Sequence, residues 1–187
     1  MKLLRYGPKG EKKTGLFDQD GVVRDLSAHL PDLGGAALSE LDRLRDLDPA
    51  ALPAVETSGR IGACLSHVPN FYAVGLNYNE HASELDAEPP AEPILFSKAT
   101  SSLSGPHDAL TLPRTSQKAD WEVELGVVIG KTAKNISVAE VMDVVYGYTC
   151  GHDVSAREWQ KGRPGGQWLL GKTFDTFAPS GPCIVTK

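Results

Sequence analysis

A β-rich α+β fold is the class this sequence predicts, with a small β-rich N-terminal domain over residues 1–67 and a larger unit over residues 68–187. Three observations lead there. The first 67 residues are short apolar runs cut by turn residues, the remainder alternates short apolar strands with short capped helices, and 187 residues at 41% hydrophobic can bury a core without disulfides.

Composition excludes several classes of function. The formal net charge of −5 argues against a nucleic-acid partner. No run of about 18 apolar residues could span a membrane, and the start from Met1 to Pro8 is too short and too quickly charged for a signal peptide, so a cytoplasmic location is expected. Cys64, Cys150 and Cys183 are an odd number, widely spaced and without a C-x-x-C pair, which reads as three reduced thiols. Cys150 lies beside the candidate site but is expected to be a small buried hydrophobe.

In chain order, Lys2 to Tyr6, Thr14 to Phe17 and Val22 to Leu26 read as strands, the last two joined by an Asp20-Gly21 turn. Leu38, Leu41 and Leu44 fall three apart within Ala36 to Leu47, which predicts a short amphipathic helix ended by Pro49. Phe71 to Leu76 reads as a buried strand, followed by a helix that Asn77 and Glu80 cap and that carries His81 and Glu84 on one face. Ile94 to Phe96, Trp121 to Ile129 and Val145 to Cys150 read as further strands. Two more capping boxes are expected at Ser137 with Glu140 and at Ser155 with Glu158.

The chemistry concentrates in a few places. Alternation along Trp121 to Ile129 puts Glu122, Glu124 and Gly126 on one face, opposite Trp121, Val123, Leu125 and Val127. The two carboxylates then stand about 6.6 Å apart at Cα. Such a pair repels itself unless water screens it, as on a solvated edge strand, or a cation joins it. Asp153 follows the next apolar strand, as a helix cap or as a third acid at a site. Three carboxylates without paired Cys or metal-spaced His point to Mg²⁺ or Mn²⁺ rather than zinc. His81 and Glu84 can form a dyad in which the carboxylate orients the ring and the imidazole takes a proton from water, although such pairs are also ordinary on helix surfaces. Gly166 to Thr173 matches G-x-x-x-x-G-K-[ST] literally, but no buried strand precedes it and Phe174 to Pro182 is too rich in turn residues for the long helix a phosphate loop needs; Trp168, Leu169 and Leu170 suit a strand better.

The blocks GLNYNEHASE (75–84), LFSKATSS (95–102), DWEVELGVVIGKTAKNI (120–136), GYTCGHDVSAREWQ (147–160) and GKTFDTFAPSGP (171–182), in this order, resemble the fumarylacetoacetate hydrolase superfamily. The resemblance runs from about Val68 to the last residue, and the preceding small domain is typical of the branch named after 2-oxohepta-3-ene-dioate hydratase/isomerases, diketo-deoxyrhamnonate hydrolases and ureidoglycolate lyases. It implies a mixed β-sandwich roll, usually a homodimer. It also implies that Glu122, Glu124 and Asp153 hold Mg²⁺ or Mn²⁺, that His81 and Glu84 activate water, that Lys172 holds substrate oxygens, and that Arg157 and Gln160 contact a small 2-oxo acid.

The activity so implied is hydrolysis of a carbon-carbon bond in a 2,4-dioxo acid with release of pyruvate. A lyase, decarboxylase or isomerase acting on a related 2-oxo acid or on ureidoglycolate is the alternative, and a non-catalytic metal-binding fragment is the rival of another class. Members of this architecture continue well past the point equivalent to Lys187. The resemblance therefore implies a fragment, or a partner chain that supplies the missing edge.

Overall fold

The computed structural model describes residues 1–56, 59–84, 86 and 88–187. The strands and helices in chain order are β1 (Lys2–Tyr6), β2 (Lys13–Phe17), β3 (Val23–Asp25), β4 (Tyr72–Gly75), α1 (Asn79–Glu84), β5 (Ile94–Ser97), β6 (Leu103–Ser104), β7 (Ala119–Asp120), β8 (Val123–Ile129), α2 (Val141–Val144), β9 (Val145–His152), β10 (Ser155–Ala156), α3 (Arg157–Gln160), α4 (Leu169–Lys172) and β11 (Ala178–Thr186).

One sheet runs β3-β2-β1-β11-β9-β8, with β6 added in parallel to β11. The N-terminal meander therefore shares hydrogen bonds with the larger unit across the 67/68 boundary, through Lys2 opposite Val185 and Leu3 opposite Ile184. The main core has the same mixed origin. Leu3, Leu16, Leu26, Leu30 and Leu33 pack with Val128 of β8, Tyr146 of β9 and Ile184 of β11. The Asp20-Gly21 turn forms as expected: Gly21 takes φ +79°, a conformation glycine adopts without penalty, and Asp18 accepts hydrogen bonds from the Asp20 and Val22 amides.

The segment expected as an amphipathic α-helix folds instead as two 3-10 pieces, Gly35–Ser39 and Leu41–Leu44. A spacing of three aligns side chains on a 3-10 helix, which has three residues per turn, better than on an α-helix, so Leu38 and Leu44 are both buried against the core.

Two small sheets stand apart from the main one, β4-β5 and β7-β10. β4 lies where a buried strand was expected, yet Tyr72 is 69% exposed. It ends at Leu76, held in the left-handed region at φ 52°, where the chain turns into α1. The Ser137–Glu140 capping box is present, with the Ser137 amide and hydroxyl both donating to Glu140.

The expected Ser155–Glu158 box does not form. Ser155 lies in β10 and its hydroxyl faces Glu122, whereas Glu158 accepts hydrogen bonds from Ser116, Gln117 and Lys118. The pattern was right for a cap, but the strand pairing of Ser155 with Asp120 removes it from the helix start.

Candidate active site

β8 is an edge strand, and the side of it that faces water is the apolar one. Trp121, Val123 and Leu125 are 75%, 72% and 61% exposed, while Glu122 and Glu124 turn inward and are half-buried. The carboxylates therefore lie on the protein side of the strand. Asp153 reaches the same place from the end of β9, because its amide donates to the Glu122 carbonyl at 2.9 Å and so continues the β8–β9 ladder.

A cavity of about 1120 Å³ collects Glu122, Glu124 and Asp153 with His81, Glu84, Arg157, Gln160 and Lys172 on its walls. The eight residues singled out in the sequence thus meet in one place. Cys150, expected to be buried, is exposed and also lines it.

Lys172 is brought there by tight packing. A β-carbon at Gly171 would stand 2.6 Å from the Gln160 nitrogen and 2.7 Å from the Ala156 carbonyl oxygen, so only glycine lets α4 sit this close to α3 and β10. This accounts for the Gly171-Lys172 pair of the phosphate-loop pattern. Residues Leu169–Lys172 are one helical turn rather than the expected strand, and the lysine faces carboxylates.

The buried ion network is dense. Lys172 Nζ lies 2.8 Å from Glu122 Oε2 and 2.6 Å from Asp153 Oδ2, with its side chain 3% exposed. Arg157 pairs with Glu122 Oε1 at 2.7 Å and with Asp120 Oδ2 at 2.7 Å, and donates to Gln160 Oε1 at 2.7 Å. The Ser155 hydroxyl stands 3.2 Å from Glu122 Oε1.

Lys98 completes the network and was missed in the sequence. It follows β5 with its side chain 1% exposed, reaching Asp153 Oδ1 at 2.5 Å and the Val154 carbonyl at 3.3 Å. The only signal for it was a lysine placed directly after an apolar strand. Asp120, which anchors Arg157, was missed for the same reason: its partner lies 37 residues away.

Electrostatics separate Glu122 from Glu124. Burial pushes Glu122 upward, but the Lys172 and Arg157 contacts outweigh it and hold the carboxyl below its ordinary value. Glu124 is raised, first by burial and then by the charges of Glu122 and Asp153. Among the described residues no hydrogen bond or ion pair reaches the Glu124 carboxylate.

His81 Nδ1 is 3.5 Å from Glu84 Oε2, longer than a hydrogen bond, and both side chains are open to solvent, at 44% and 75%. Among the described residues, no three His, Cys, Asp or Glu side chains form a ready coordination cage. The donor chemistry nevertheless fits a hard divalent cation: all three acids offer oxygen, and Glu124 is half-buried beside two other acids and has no side-chain partner among the described residues.

Residues 70–187 match the family model described as fumarylacetoacetate (FAA) hydrolase, C-terminal. The chain belongs to the fumarylacetoacetate hydrolase family. Two Burkholderia relatives, from B. lata and B. ambifaria, are each 56% identical over 189 residues, cover all of this chain and 67% of their own length, and carry names no finer than hydrolase. Among solved structures, a fumarylacetoacetate hydrolase from the psychrophile Exiguobacterium antarcticum is similar at TM-score 0.81 and 31% identity, and a 5-carboxymethyl-2-hydroxymuconate delta-isomerase from Mycobacterium smegmatis at TM-score 0.74 and 30% identity. This chain is covered completely in both comparisons and spans 66% of each of those chains. The family's mixed β-sandwich roll, with the small β-rich N-terminal part, is therefore the fold of this chain, and the family contains both hydrolases and isomerases.

Proposed function

We propose that this chain carries the catalytic residues of a metal-dependent hydrolase that cleaves a carbon-carbon bond in a small 2,4-dioxo acid and releases pyruvate. The observation that carries the reading is the convergence of the His81–Glu84 pair, three carboxylates and a buried lysine on one cavity. Glu122, Glu124 and Asp153 would hold Mg²⁺ or Mn²⁺. A divalent cation held by them would supply Lewis-acid stabilisation of the enolate charge that develops on a 2-oxo acid.

The chain's own residues supply the rest. Glu84 faces Nδ1 of His81, which leaves Nε2 as the base that takes a proton from water. The hydroxide adds to the 4-carbonyl carbon, and the bond between C3 and C4 breaks with its electron pair leaving on the pyruvate side. Protonation of that enolate at C3 gives pyruvate, and the other fragment leaves as a carboxylic acid. Lys172 donates to the oxygen on which charge develops, and Arg157 and Gln160 orient the acid.

Acylpyruvates offered with Mn²⁺ test this directly, with pyruvate followed by a coupled assay. Stoichiometric pyruvate and carboxylic acid are expected; metal-dependent loss of the 2,4-dioxo chromophore without pyruvate would replace hydrolysis by isomerisation. Isomerisation is the second reading, favoured by the isomerase among the solved relatives, because it needs the same enolate stabilisation. A homodimer belongs to the same proposal, supported by the exposed apolar face of β8, and sedimentation velocity checks it.

A further inference from the structure

Two of the three carboxylates proposed for the cation, Glu122 and Asp153, are already paired from within the chain. Glu122 offers one oxygen to Lys172 and the other to Arg157 and Ser155, while Asp153 offers one to Lys172 and the other to Lys98. Lys172 differs from Lys98 in bridging two acids, Glu122 and Asp153, both of which are among the proposed holders of the cation. It also has a second attraction. Its ammonium lies 5.1 Å from the centre of the Phe96 ring, on the β5 wall of the cavity, a cation–π partner that does not depend on the acids.

We propose that Lys172 is an exchangeable internal cation: its ammonium occupies the Glu122–Asp153 bridge while no divalent ion is there and leaves that bridge when one binds, remaining on the Phe96 side of the cavity. The physical reason is that two buried carboxylates without a counterion are strongly unfavourable, whereas an ammonium and a divalent ion crowded onto the same oxygens repel each other. The acids are thereby stabilised in both states. Lys98 stays in place, because its second bond to the Val154 carbonyl fixes it on the outer oxygen of Asp153.

This inference rests on the cation reading given above, and its test separates the two. Mn²⁺ alone is titrated calorimetrically into the full chain, into Glu124→Gln, into Lys172→Met and into Lys98→Met. Wild type is expected to bind and Glu124→Gln to bind much more weakly; wild type failing to bind, or both binding alike, overturns the cation reading and the exchange with it. Lys172→Met is expected to bind Mn²⁺ roughly tenfold more tightly than wild type, with a clearly smaller gain in Lys98→Met. Equal gains in the two lysine variants would mean only a general field effect, and no gain in Lys172→Met would mean that the ammonium never has to leave; either result overturns exchange while leaving the cation reading intact.

Reductive methylation of the wild-type chain, read at Lys172 by mass spectrometry, decides the point even where Lys172→Met fails to fold. Labelling is expected to rise several-fold on adding Mn²⁺. Unchanged or reduced labelling would overturn the proposal.

Discussion

Lys172 and Lys98 both reach Asp153, and Glu122 and Glu124 sit two residues apart, yet burial and partners give each a different task. Glu122 is the acid that most of the network converges on, so Glu122→Gln is expected to abolish Mn²⁺ binding and turnover together, as read by calorimetry and pyruvate release. A variant retaining full turnover would remove Glu122 from the site. Among the described residues no hydrogen bond or ion pair joins His81 to the three acids, so His81→Ala is expected to lower turnover by about 10²–10⁴-fold, the usual range for a general base, with metal affinity unchanged. Gly171 acts through space rather than chemistry. A methyl there meets backbone on two sides, so Gly171→Ala is expected to lower stability by about 1–3 kcal/mol and to displace Lys172, seen as a lower melting temperature with reduced turnover. The paired acids, Asp153 and the His81–Glu84 pair were legible from residue type and local spacing, and Lys172 through the family resemblance. Lys98 and Asp120 were not, because a lysine or aspartate after a short strand looks like any surface residue until its partner is brought up from a distant segment.

Among the elements, β8 shows what alternation can and cannot decide. It separated the two faces and left two readings for the acidic one, a solvated edge or a cation site. The local pattern carries no information about which face the rest of the chain will cover, and here Glu122 and Glu124 are half-buried while Val123, Leu125 and Val127 are exposed. An exposed apolar face on an unpaired edge is prone to association. Leu125→Lys is therefore expected to change the melting free energy by no more than about 0.5 kcal/mol while reducing concentration-dependent self-association in light scattering. The 3-10 pieces tell the opposite story. Leu38 and Leu44 were correctly expected to point inward, and only the helix type was misjudged, since a spacing of three serves either geometry over so short a run. The Ser155–Glu158 pattern failed because strand pairing competed for Ser155, which no local rule could register.

At the scale of the molecule, β11 joins the parts. It pairs with β1 on one side and β9 on the other, so the N-terminal meander, the strand bearing Asp153 and the β8 carboxylates share one hydrogen-bonded frame. A second tie runs from Arg60 to Asp108 through two hydrogen bonds of 2.6 and 2.5 Å. The Arg60 hydrogen bonds, against opposing burial, hold the Asp108 carboxyl below its ordinary 3.8. A depressed folded value means stability that is present above the ordinary value and is lost as pH falls through the depressed one. Acid unfolding of wild type below about pH 4 is therefore expected to be steeper than that of Arg60→Gln, followed by circular dichroism. Ligand should act on the whole frame as well. Mn²⁺ with oxalate, a planar mimic of the pyruvate enolate, is expected to raise stability by about 2.7 kcal/mol at a hundredfold excess over its dissociation constant, a shift of several degrees; a cooperative melt unmoved by both would count against the enzyme reading.

The sequence by itself determined the β-rich class, the order of strands and short helices and the family, and it singled out the eight residues on the cavity wall, five from residue type and short-range spacing and Lys172, Arg157 and Gln160 through the family resemblance. The tertiary structure alone decided that the N-terminal strands share a sheet with the larger unit, that the acidic face of β8 turns inward, and that Lys98, Lys172 and Arg157 pair with Glu122 and Asp153. Those outcomes depend on pairings between residues tens of positions apart, and burial, which sets the energy of every charge in the site, exists only once those pairings have closed.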